Sequence, residues 1–522
     1  MPFSLSEFLH IERKPPARSR WVRGLAALSI GNLFCIRAWD AILHDPYDGY
    51  LAVSTLRTTD HLASIASVGL VSVVAYFLIA VMWYSLVRWR RAAAMGGMLV
   101  LFAVPLDFLR GVLGWNSGAN AGWVEMMGLA ALALLVPALA LIFRQWFFAV
   151  VLWLLALVSP YAGFNLASAA GRALAALEVR RDPPTQGTTV AKKAENRVLW
   201  VVFDEWDHVA LFEQRPKNLA LPNLDALLKE SVVVTAAVPP AGRTMISIPA
   251  LFTGQLIAQA KTEGASELLV QAVGTEKWKR FRQTDNIVTR TLQHGRRAAI
   301  FGWYHPYGRL FSEHPNLLAK GFGFSTFRPD EDGNFVSSVA EQLQFITSPA
   351  HRRHVVIEIF SEVDSAVRAA VASGQYHLIF AHYGVPHTPG IYSVPDGKLS
   401  SAVVSEHDGY LSNLALVDRV IGELLAAGAR VNTTLILTSD HWWRKAPWMS
   451  TQPSFRVPLV IRAAESGPPA VVDTANCTTV LAGLIDELLD GRIRTNTQVA
   501  AWLQVARGPV PTGFDKGSPV VP

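Results

Sequence analysis

The sequence predicts a bundle of about five membrane-spanning helices followed by an α/β domain built on a mostly parallel sheet. Two observations carry this prediction. The chain of 522 residues is 51% hydrophobic and only 17% charged, and the apolar excess lies in its first third. From Asn196 onward, short apolar runs alternate with segments of helical periodicity. This alternation is typical of strands and helices in an α/β fold.

Five apolar stretches in the first third approach the ~20 residues that a helix needs to cross the hydrocarbon core of a bilayer. These predicted spans are 21–43, 62–87, 92–114, 126–143 and 146–168. The first is longer than the apolar part of a cleaved signal peptide, and further spans follow it. We therefore predict a transmembrane domain over residues 1–170, a polar linker over 171–195 and a globular domain over 196–522.

Basic residues predict the orientation of these spans. They cluster in the N-terminal tail, in the loop after the second span, and at Arg144 between the fourth and fifth spans. All three regions fall on one side if five spans alternate, and Lys and Arg favour the cytoplasmic side. We expect a bacterial inner-membrane protein with a cytoplasmic N-terminus and a periplasmic globular domain. The net charge of +6 then reflects topology, and no nucleic-acid partner is expected.

Six runs rich in Val, Ile and Leu predict the buried strands of a parallel sheet. They are RVLWVVF, SVVVTAAV, RAAIFGW, YHLIFAHY, TTLILT and VPLVIR. Helical segments separate them. The clearest is DGYLSNLALVDRVIGELLAAG, in which apolar residues from Tyr410 to Leu424 recur with helical spacing and Gly428 marks a natural end.

Side chains with metal-binding chemistry follow three of the predicted strands. The first strand ends on Asp204 and Glu205, the fourth on His382 and His387, and the fifth on Asp440 and His441. Ligands of open α/β sheets bind outside the carboxyl ends of the strands, and oxygen and imidazole ligands suit Zn²⁺ or Mn²⁺. Each signal alone has a plainer explanation, since an Asp after a strand is commonly a helix N-cap. The three together predict a divalent-cation site.

The segment PPAGRTMISIPALFTG, after the second strand, offers Thr244, Ser247 and Thr253 as hydroxyl nucleophiles. A hydroxyl beside a divalent cation can lose its proton and attack phosphorus or sulfur. Thr244 precedes an apolar stretch that can open a helix, and a helix N-terminus favours negative charge. From the local sequence alone, a simple N-cap or turn threonine is the favoured interpretation of Thr244.

Taken in order, these motifs resemble the alkaline phosphatase and sulfatase superfamily. More narrowly, they resemble its membrane-bound phosphotransferases: lipid A phosphoethanolamine transferases, lipoteichoic acid synthases and phosphoglycerol transferases. Those proteins also have about five N-terminal spans and an extracytoplasmic catalytic domain. The matching pieces are VVFDE, LPNLDALLKES, TMISIPALFTG, HYGVPHTP, YLSNLALVDRVIGELL and LTSDHWW. They lie roughly between Arg197 and Arg462, and the resemblance implies an alkaline-phosphatase-like α/β domain over residues 196–522.

The resemblance implies a metal centre with a built-in nucleophile. Thr244 is implied as both the nucleophile and a metal ligand. Asp204, Asp440 and His441 are implied as further ligands, with Glu205 as a possible additional one. The implied cofactor is one divalent cation, Zn or Mn, and a second metal is left open.

Five further residues are candidates for binding the substrate. The resemblance implies that His382 and His387 bind phosphate oxygens or act as general acid and base. Arg243 and Arg444 are candidates for holding anionic groups, although solvated surface arginines are an equally good interpretation. Trp442 is a candidate for stacking on sugar or lying at the lipid interface, with simple packing equally well supported.

Departures from the pattern narrow the expected function. The stretch TMISIP lacks the Cys or Ser of the C/S-x-P-x-R motif, so formylglycine-dependent sulfatase activity is not expected. Trp442 stands where the family has the Gly of its DHG motif, so the loop beyond the cation is bulkier. Arg456 stands where phosphoethanolamine transferases often carry a further His, which favours one cation over two.

The predicted function is metal-dependent transfer of a phospho-headgroup from a phospholipid donor, through Thr244, to a periplasmic glycan or lipid acceptor. Two alternatives stay open. One is a membrane-anchored phosphodiesterase or phosphatase that passes the group to water. The other is a non-catalytic, sulfatase-like scaffold. The sequence does not separate transfer from hydrolysis, whereas the presence of the ligands and of Thr244 argues against the scaffold.

Overall fold

The computed structural model describes residues 18–36, 39, 58–87, 149–174, 193–263, 267–311, 313–322, 334–506, 508–515 and 517–520. These residues form two compact units. The first unit contains the N-terminal helices and also residues 334–347, and the second contains the sheet domain. The domain boundaries predicted at 170 and 195 stay predictions.

The helices of the described residues range from 4 to 30 residues in length. They are α1 (Arg18–Phe34), α2 (Thr58–Val87), α3 (Ala149–Leu174), α4 (Pro222–Leu228), α5 (Thr244–Thr253), α6 (Ile287–Gln293), α7 (Tyr307–Leu310), α8 (Phe335–Thr347), α9 (Pro349–Ser373), α10 (Glu406–Leu424), α11 (Leu481–Leu489) and α12 (Asn496–Val505).

Two helices of the first unit are long and apolar enough to cross a membrane, as judged by length and composition. They are α2, over Thr58–Val81, and α3, over Ala149–Leu174. They coincide with the second and fifth predicted spans. The first predicted span overlaps α1, which has 17 residues and begins at Arg18. The third and fourth predicted spans lie outside the described residues, so the bundle of five helices stays a prediction.

The strands of the second unit belong to one large sheet and several small ones. They are β1 (Arg197–Asp204), β2 (Val232–Val234), β3 (Ala237–Val238), β4 (Ile257–Glu263), β5 (Glu267–Ala272), β6 (Trp278–Arg280), β7 (Ala298–Gly302), β8 (Leu317–Gly321), β9 (Leu378–Pro386), β10 (Tyr392–Ser393), β11 (Lys398–Leu399), β12 (Thr433–Ser439), β13 (Leu459–Arg462), β14 (Ala470–Val472), β15 (Asn476–Cys477), β16 (Gly513–Asp515) and β17 (Ser518–Val520).

The central sheet has eight strands in the order β14-β2-β13-β12-β1-β9-β7-β8. Every neighbouring pair in it is parallel except the two pairs that involve β13. The prediction of an α/β domain with a mostly parallel sheet is therefore confirmed. All six predicted strands are present, although SVVVTAAV divides into β2 and β3 at a turn, and VPLVIR forms the antiparallel β13.

The position of β1 in the middle of the sheet explains why its sequence is an unbroken apolar run. β1 is buried along its whole length. Trp200 and Val202 face a core that includes residues of α5 and α11, whereas Leu199 and Val201 face a core that includes residues of α9 and α10. Successive side chains of a strand point to opposite faces, and both faces of this sheet are covered.

The predicted helix after the fourth strand is α10, which continues into a π-helical turn over Leu425–Ala429. Gly428 there has φ of 110°, a value that glycine adopts without a steric penalty. The helix thus stops where the sequence indicated, and the chain turns into β12. β12 lies beside β1 in parallel register, with Ser439 opposite Phe203.

Candidate metal and nucleophile site

Three neighbouring strands bring Asp204, His382 and Asp440 together. Asp204 ends β1, and Asp440 directly follows β12. β9 continues to Pro386, so His382 lies within that strand, opposite Val202, rather than after its end. All three side chains are buried, and their possible ligand atoms lie within 4.8 Å of one another.

The Thr244 hydroxyl reaches this cluster. It donates a hydrogen bond of 2.7 Å to Oδ2 of Asp440 and lies 3.3 Å from Nε2 of His441. The hydroxyl groups of Ser247 and Thr253 instead donate to main-chain carbonyl groups of their own segment. Of the three hydroxyls considered in this segment, the one on Thr244 contacts the cluster.

The place of Thr244 in its helix rules out a capping role. α5 begins at Thr244, and the N-cap residue is Arg243, whose backbone is extended. The favoured local interpretation, an N-cap threonine, is therefore wrong, because the helix starts one residue earlier than a threonine cap requires. The free N–H groups in the first turn of a helix favour negative charge nearby, so they suit a group being transferred at Thr244.

A main-chain carbonyl sets the tautomer of His441. Nδ1 of His441 lies 3.0 Å from the carbonyl oxygen of Trp442. Because a carbonyl can only accept, Nδ1 carries the hydrogen, and Nε2 of the neutral ring is left with its lone pair. Nε2 lies 3.3 Å from Oδ2 of Asp440 and 3.6 Å from Oδ1 of Asp204. This arrangement is the one found in histidines that bind metals.

The polar atoms of the cluster are not all satisfied by one another, and this arrangement fits a cation. Burial, followed by the negative charges of Asp440 and Glu205, raises the pKa of Asp204 well above its usual range. Oδ1 of Asp204 and Nε2 of His382 are buried without a hydrogen-bond partner among the described residues. Buried acceptors without donors are costly. A set of carboxylate, hydroxyl and imidazole ligands suits Zn²⁺ or Mn²⁺.

A segment that the sequence left unassigned lies beside the nucleophile. His305 is buried, and its Nε2 lies 3.4 Å from the carbonyl oxygen of Thr244. Burial, with the charge of His382, lowers the pKa of His305 to about 3. Tyr304, just before it, has φ of 72°, a conformation that is strained for a non-glycine residue. The sequence offered one signal for this segment, its position directly after β7.

Tyr307 also belongs to the site. Its hydroxyl lies 3.1 Å from Nδ1 of His382, and both side chains are buried. This contact fixes the orientation of the His382 ring, so that Nε2 is turned toward the cluster. Partners of this kind hold the rings of metal-binding histidines in place.

Glu205 and Arg444 form an ion pair beside the cluster. Nε of Arg444 lies 2.9 Å from Oε1 of Glu205. Arg444, a candidate for holding an anion, thus neutralises the Glu205 carboxylate, although its guanidinium remains partly exposed. The Glu205 carboxylate is not among the converging ligand atoms of the described residues. The His441 imidazole is not in that group either, so the roles of Glu205 and His441 as ligands stay predictions.

Trp442 and Arg243 are the two remaining candidates for binding the substrate. Trp442 is buried against Phe455 and Phe514, with ring centroids 4.7 and 4.8 Å away. This surrounding favours the packing interpretation over stacking on sugar. Arg243 is exposed at the start of α5, so it remains available to an anionic group.

His387 lies next to Asp204. Its main-chain N–H donates to the carbonyl of Asp204 over 3.1 Å. Nδ1 of its ring lies 2.6 Å from the carbonyl oxygen of Thr388, so Nδ1 carries the hydrogen and Nε2 has the lone pair of a base. Burial lowers the pKa of His387, which keeps the ring neutral near pH 7.

These features define a class of protein. The sequence profile described as Sulfatase matches residues 196–488. The chain therefore belongs to the sulfatase family, within the alkaline phosphatase and sulfatase superfamily, as the motifs predicted. The narrower resemblance to membrane-bound phosphotransferases stays a prediction. No curated protein shows a significant match to the sequence.

Solved structures with a similar fold have low sequence identity. One is Ps i-CgsB in complex with k-i-k-neocarrahexaose, with 18% identity, a TM-score of 0.43, and coverage of 61% of this chain and 79% of that one. Another is the phosphonate monoester hydrolase of Agrobacterium radiobacter, with 15% identity, a TM-score of 0.36, and coverage of 56% and 73%. A third is a protein of the alkaline phosphatase superfamily from Vibrio parahaemolyticus, with 15% identity, a TM-score of 0.34, and coverage of 56% and 67%.

Proposed function

We propose that the protein is a membrane-bound transferase that moves a phospho-headgroup from a phospholipid donor to a glycan or lipid acceptor. The observation that carries the proposal is the 2.7 Å hydrogen bond from the Thr244 hydroxyl to Asp440, at the start of α5. A buried hydroxyl held among carboxylate and imidazole groups is typical of an activated nucleophile. The apolar helices α2 and α3 support a membrane location, and the basic residues near the predicted spans support a periplasmic catalytic domain.

The first half of the reaction uses Thr244. Asp204 and Asp440, which converge with His382, would hold one Zn²⁺ or Mn²⁺ together with Thr244 and His441, and the cation would lower the pKa of the Thr244 hydroxyl. In this proposal Asp440, which accepts the hydrogen bond of the hydroxyl, orients it and takes its proton. Oγ1 of Thr244 forms a bond to phosphorus while the bond from phosphorus to the diacylglycerol oxygen breaks, which leaves a phosphothreonine.

The second half transfers the group onward. In the first half, the proton that leaves Thr244 has to reach the diacylglycerol oxygen, and we assign its relay to His382 and His387. Burial lowers the pKa of both rings, so they are neutral bases near pH 7. A neutral base takes the proton of the acceptor hydroxyl as that hydroxyl attacks the phosphothreonine, and Thr244 regains its hydrogen. If water is the acceptor, the same steps give hydrolysis.

Mass spectrometry of the full-length protein tests this function. The protein in detergent is incubated with phosphatidylethanolamine or phosphatidylglycerol, and bound metal is measured on the same sample. We expect a phospho-headgroup on the Thr244 peptide of the wild type and none in Thr244→Ala. Thr253→Ala, which removes another buried hydroxyl of α5, is the matched control and should keep the adduct.

The other outcomes separate the alternatives. Free headgroup phosphate released without an acceptor product indicates a hydrolase. A metal-free protein that stays unmodified with either lipid, even after incubation with Zn²⁺ or Mn²⁺, contradicts an enzymatic role and favours the scaffold.

A further inference from the structure

The first two turns of helix α8 have buried polar side chains and exposed apolar ones, whereas Gln344 and Thr347 are exposed polar residues further along. Ser338 and Gln342, one turn apart, are buried. On the same helix, the side chains of Phe335 and Val336 are 44% and 73% exposed. A helix at the surface of a water-soluble domain shows the opposite distribution. Polar groups turned inward and apolar groups turned outward are what a lipid environment favours.

The buried polar groups of α8 bind α2. The hydroxyl of Ser338 donates to Oδ1 of Asp60 over 2.7 Å, and Nε2 of Gln342 donates to the main-chain carbonyl of Asp60 over 2.8 Å. Ser67 donates to Oε1 of Gln342 over 3.2 Å. These four buried residues are called the polar seam below. Hydrogen bonds of this type connect helices that associate within a bilayer.

The polar seam lies within the candidate membrane span of α2. Asp60 and Ser67 both belong to Thr58–Val81, the segment that is long and apolar enough to cross a membrane. Leu62, between them in the chain, is exposed, as are Val74 and other apolar residues further along α2. Exposed apolar surface therefore occurs on α2 at the level where α8 packs.

We propose that α8 is inserted in the membrane. It packs on α2 through the polar seam and presents Phe335 and Val336 to the acyl chains of the lipid bilayer. The inference rests on the proposed membrane location of α2. α8 lies within residues 196–488, the part of the chain that the Sulfatase profile matches, and only Ser348 separates it from α9. The sulfatase region thus makes a membrane contact of its own, beyond the predicted N-terminal spans.

Spin labelling of three exposed valines tests the insertion. A nitroxide is attached at Val336→Cys, Val74→Cys or Val471→Cys of the full-length protein, reconstituted in phosphatidylethanolamine and phosphatidylglycerol vesicles. The three native side chains are 73%, 51% and 67% exposed, on α8, α2 and β14 respectively. The native cysteines, Cys35 and Cys477, are buried and are replaced by Ala.

Relaxation by oxygen, which concentrates in hydrocarbon, is compared with relaxation by a water-soluble nickel chelate. We expect the label at 336 to match the label at 74, with high oxygen and low nickel accessibility, and the label at 471 to show the reverse. If 336 matches 471 while 74 reports lipid, the insertion of α8 is wrong and the location of α2 stands. If 74 also matches 471, both are wrong.

A second comparison tests the polar seam. Gln342→Leu removes the bonds to Asp60 and Ser67, whereas Gln344→Leu changes an exposed glutamine of the same helix. In the Val336→Cys background, we expect faster motion of the label with Gln342→Leu and no change with Gln344→Leu. Unchanged motion with Gln342→Leu would show that the polar seam does not hold α8.

Discussion

Two buried clusters of this chain use similar residues with opposite results. In the polar seam, the Asp60 carboxylate meets the hydroxyl of Ser338, and each donor has an acceptor. At the strand ends, Asp440 accepts hydrogen bonds from Thr244 and from two main-chain N–H groups, whereas Oδ1 of Asp204 and Nε2 of His382 have no partner among the described residues. A balanced set of polar groups joins helices, whereas buried acceptors left without donors favour a bound cation. The balance of donors and acceptors, rather than residue type, therefore decides whether a buried polar cluster joins helices or forms a metal site.

The comparison predicts its largest effect for Asp440→Asn, which replaces one acceptor oxygen with a donor at constant shape. We expect bound metal to fall from one equivalent to almost none. The transfer rate should fall at least about 10³-fold, because metal stabilisation of a transition state amounts to several kcal/mol. Metal analysis and initial rates measure the two effects.

The matched control is Asp364→Asn. Asp364 is a buried carboxylate that bonds Tyr383 and Arg368, so its partners are already balanced. This variant should keep the metal and the activity even if it lowers stability. If Asp440→Asn also keeps both, the excess of acceptors is not a metal site.

Removal of the cation should have the next largest effect. Without it, Asp204 and Asp440 repel each other in a buried site, so the chelated protein should melt at a lower temperature. Reloading at ~100 times Kd should restore about 2.7 kcal/mol of stability. Thermal unfolding after chelation, and after addition of Zn²⁺ or Mn²⁺, measures the difference. Asp440→Asn should show no such difference, and identical curves for the wild type would contradict cation binding.

Tyr307→Phe should have a smaller effect, because it removes a group that orients His382 rather than a ligand. Loss of such a partner costs roughly 10–100-fold in metal affinity or activity. Tyr383→Phe is the control, since it also removes a buried hydroxyl, which bonds Asp364. Adjacent residues of a strand point to opposite faces, so Tyr383 lies on the other face of β9 from His382. Equal losses in the two variants would indicate general destabilisation rather than positioning.

Much of the fold could be predicted from the sequence because β1, β9 and β12 are covered on both faces. Burial on both faces leaves unbroken apolar runs such as that of β1, and these runs indicate strands directly. The sequence of β13 does not indicate that this strand is antiparallel, because parallel and antiparallel strands in the middle of a sheet bury the same residues. The burial of Ser338 and Gln342 was also hidden, because a helix with polar residues suggests a water-facing surface until its neighbours are known.

The part of the candidate site that lies at the ends of parallel strands could be predicted from the sequence. The carboxyl ends of β1 and β12 meet at one edge, so Asp204 and Asp440 were expected to lie together. His305 lies in the turn after β7 and Tyr307 begins the four-residue helix α7, and no periodicity indicates where such short segments lie. The pairing of Arg444 with a neighbouring carboxylate likewise depends on distances in space.

The smallest predicted effect tests the other side of the comparison. Ser338→Ala removes one donor of the polar seam, and Asp60 can then find other partners, so the coupling between the two residues should be modest. Interhelical hydrogen bonds in a membrane protein average about 0.6 kcal/mol and reach about 1.7 kcal/mol. A double-mutant cycle of Ser338→Ala and Asp60→Ala, measured by unfolding in bicelles, gives this coupling directly.

Ser337→Ala is the control for this cycle. The Ser337 hydroxyl bonds the exposed start of its own helix, so this variant should show no coupling to Asp60. A coupling of zero for Ser338 would remove the seam as a structural element. A coupling of several kcal/mol would mean that the Asp60 carboxylate depends on Ser338 more strongly than interhelical bonds usually do.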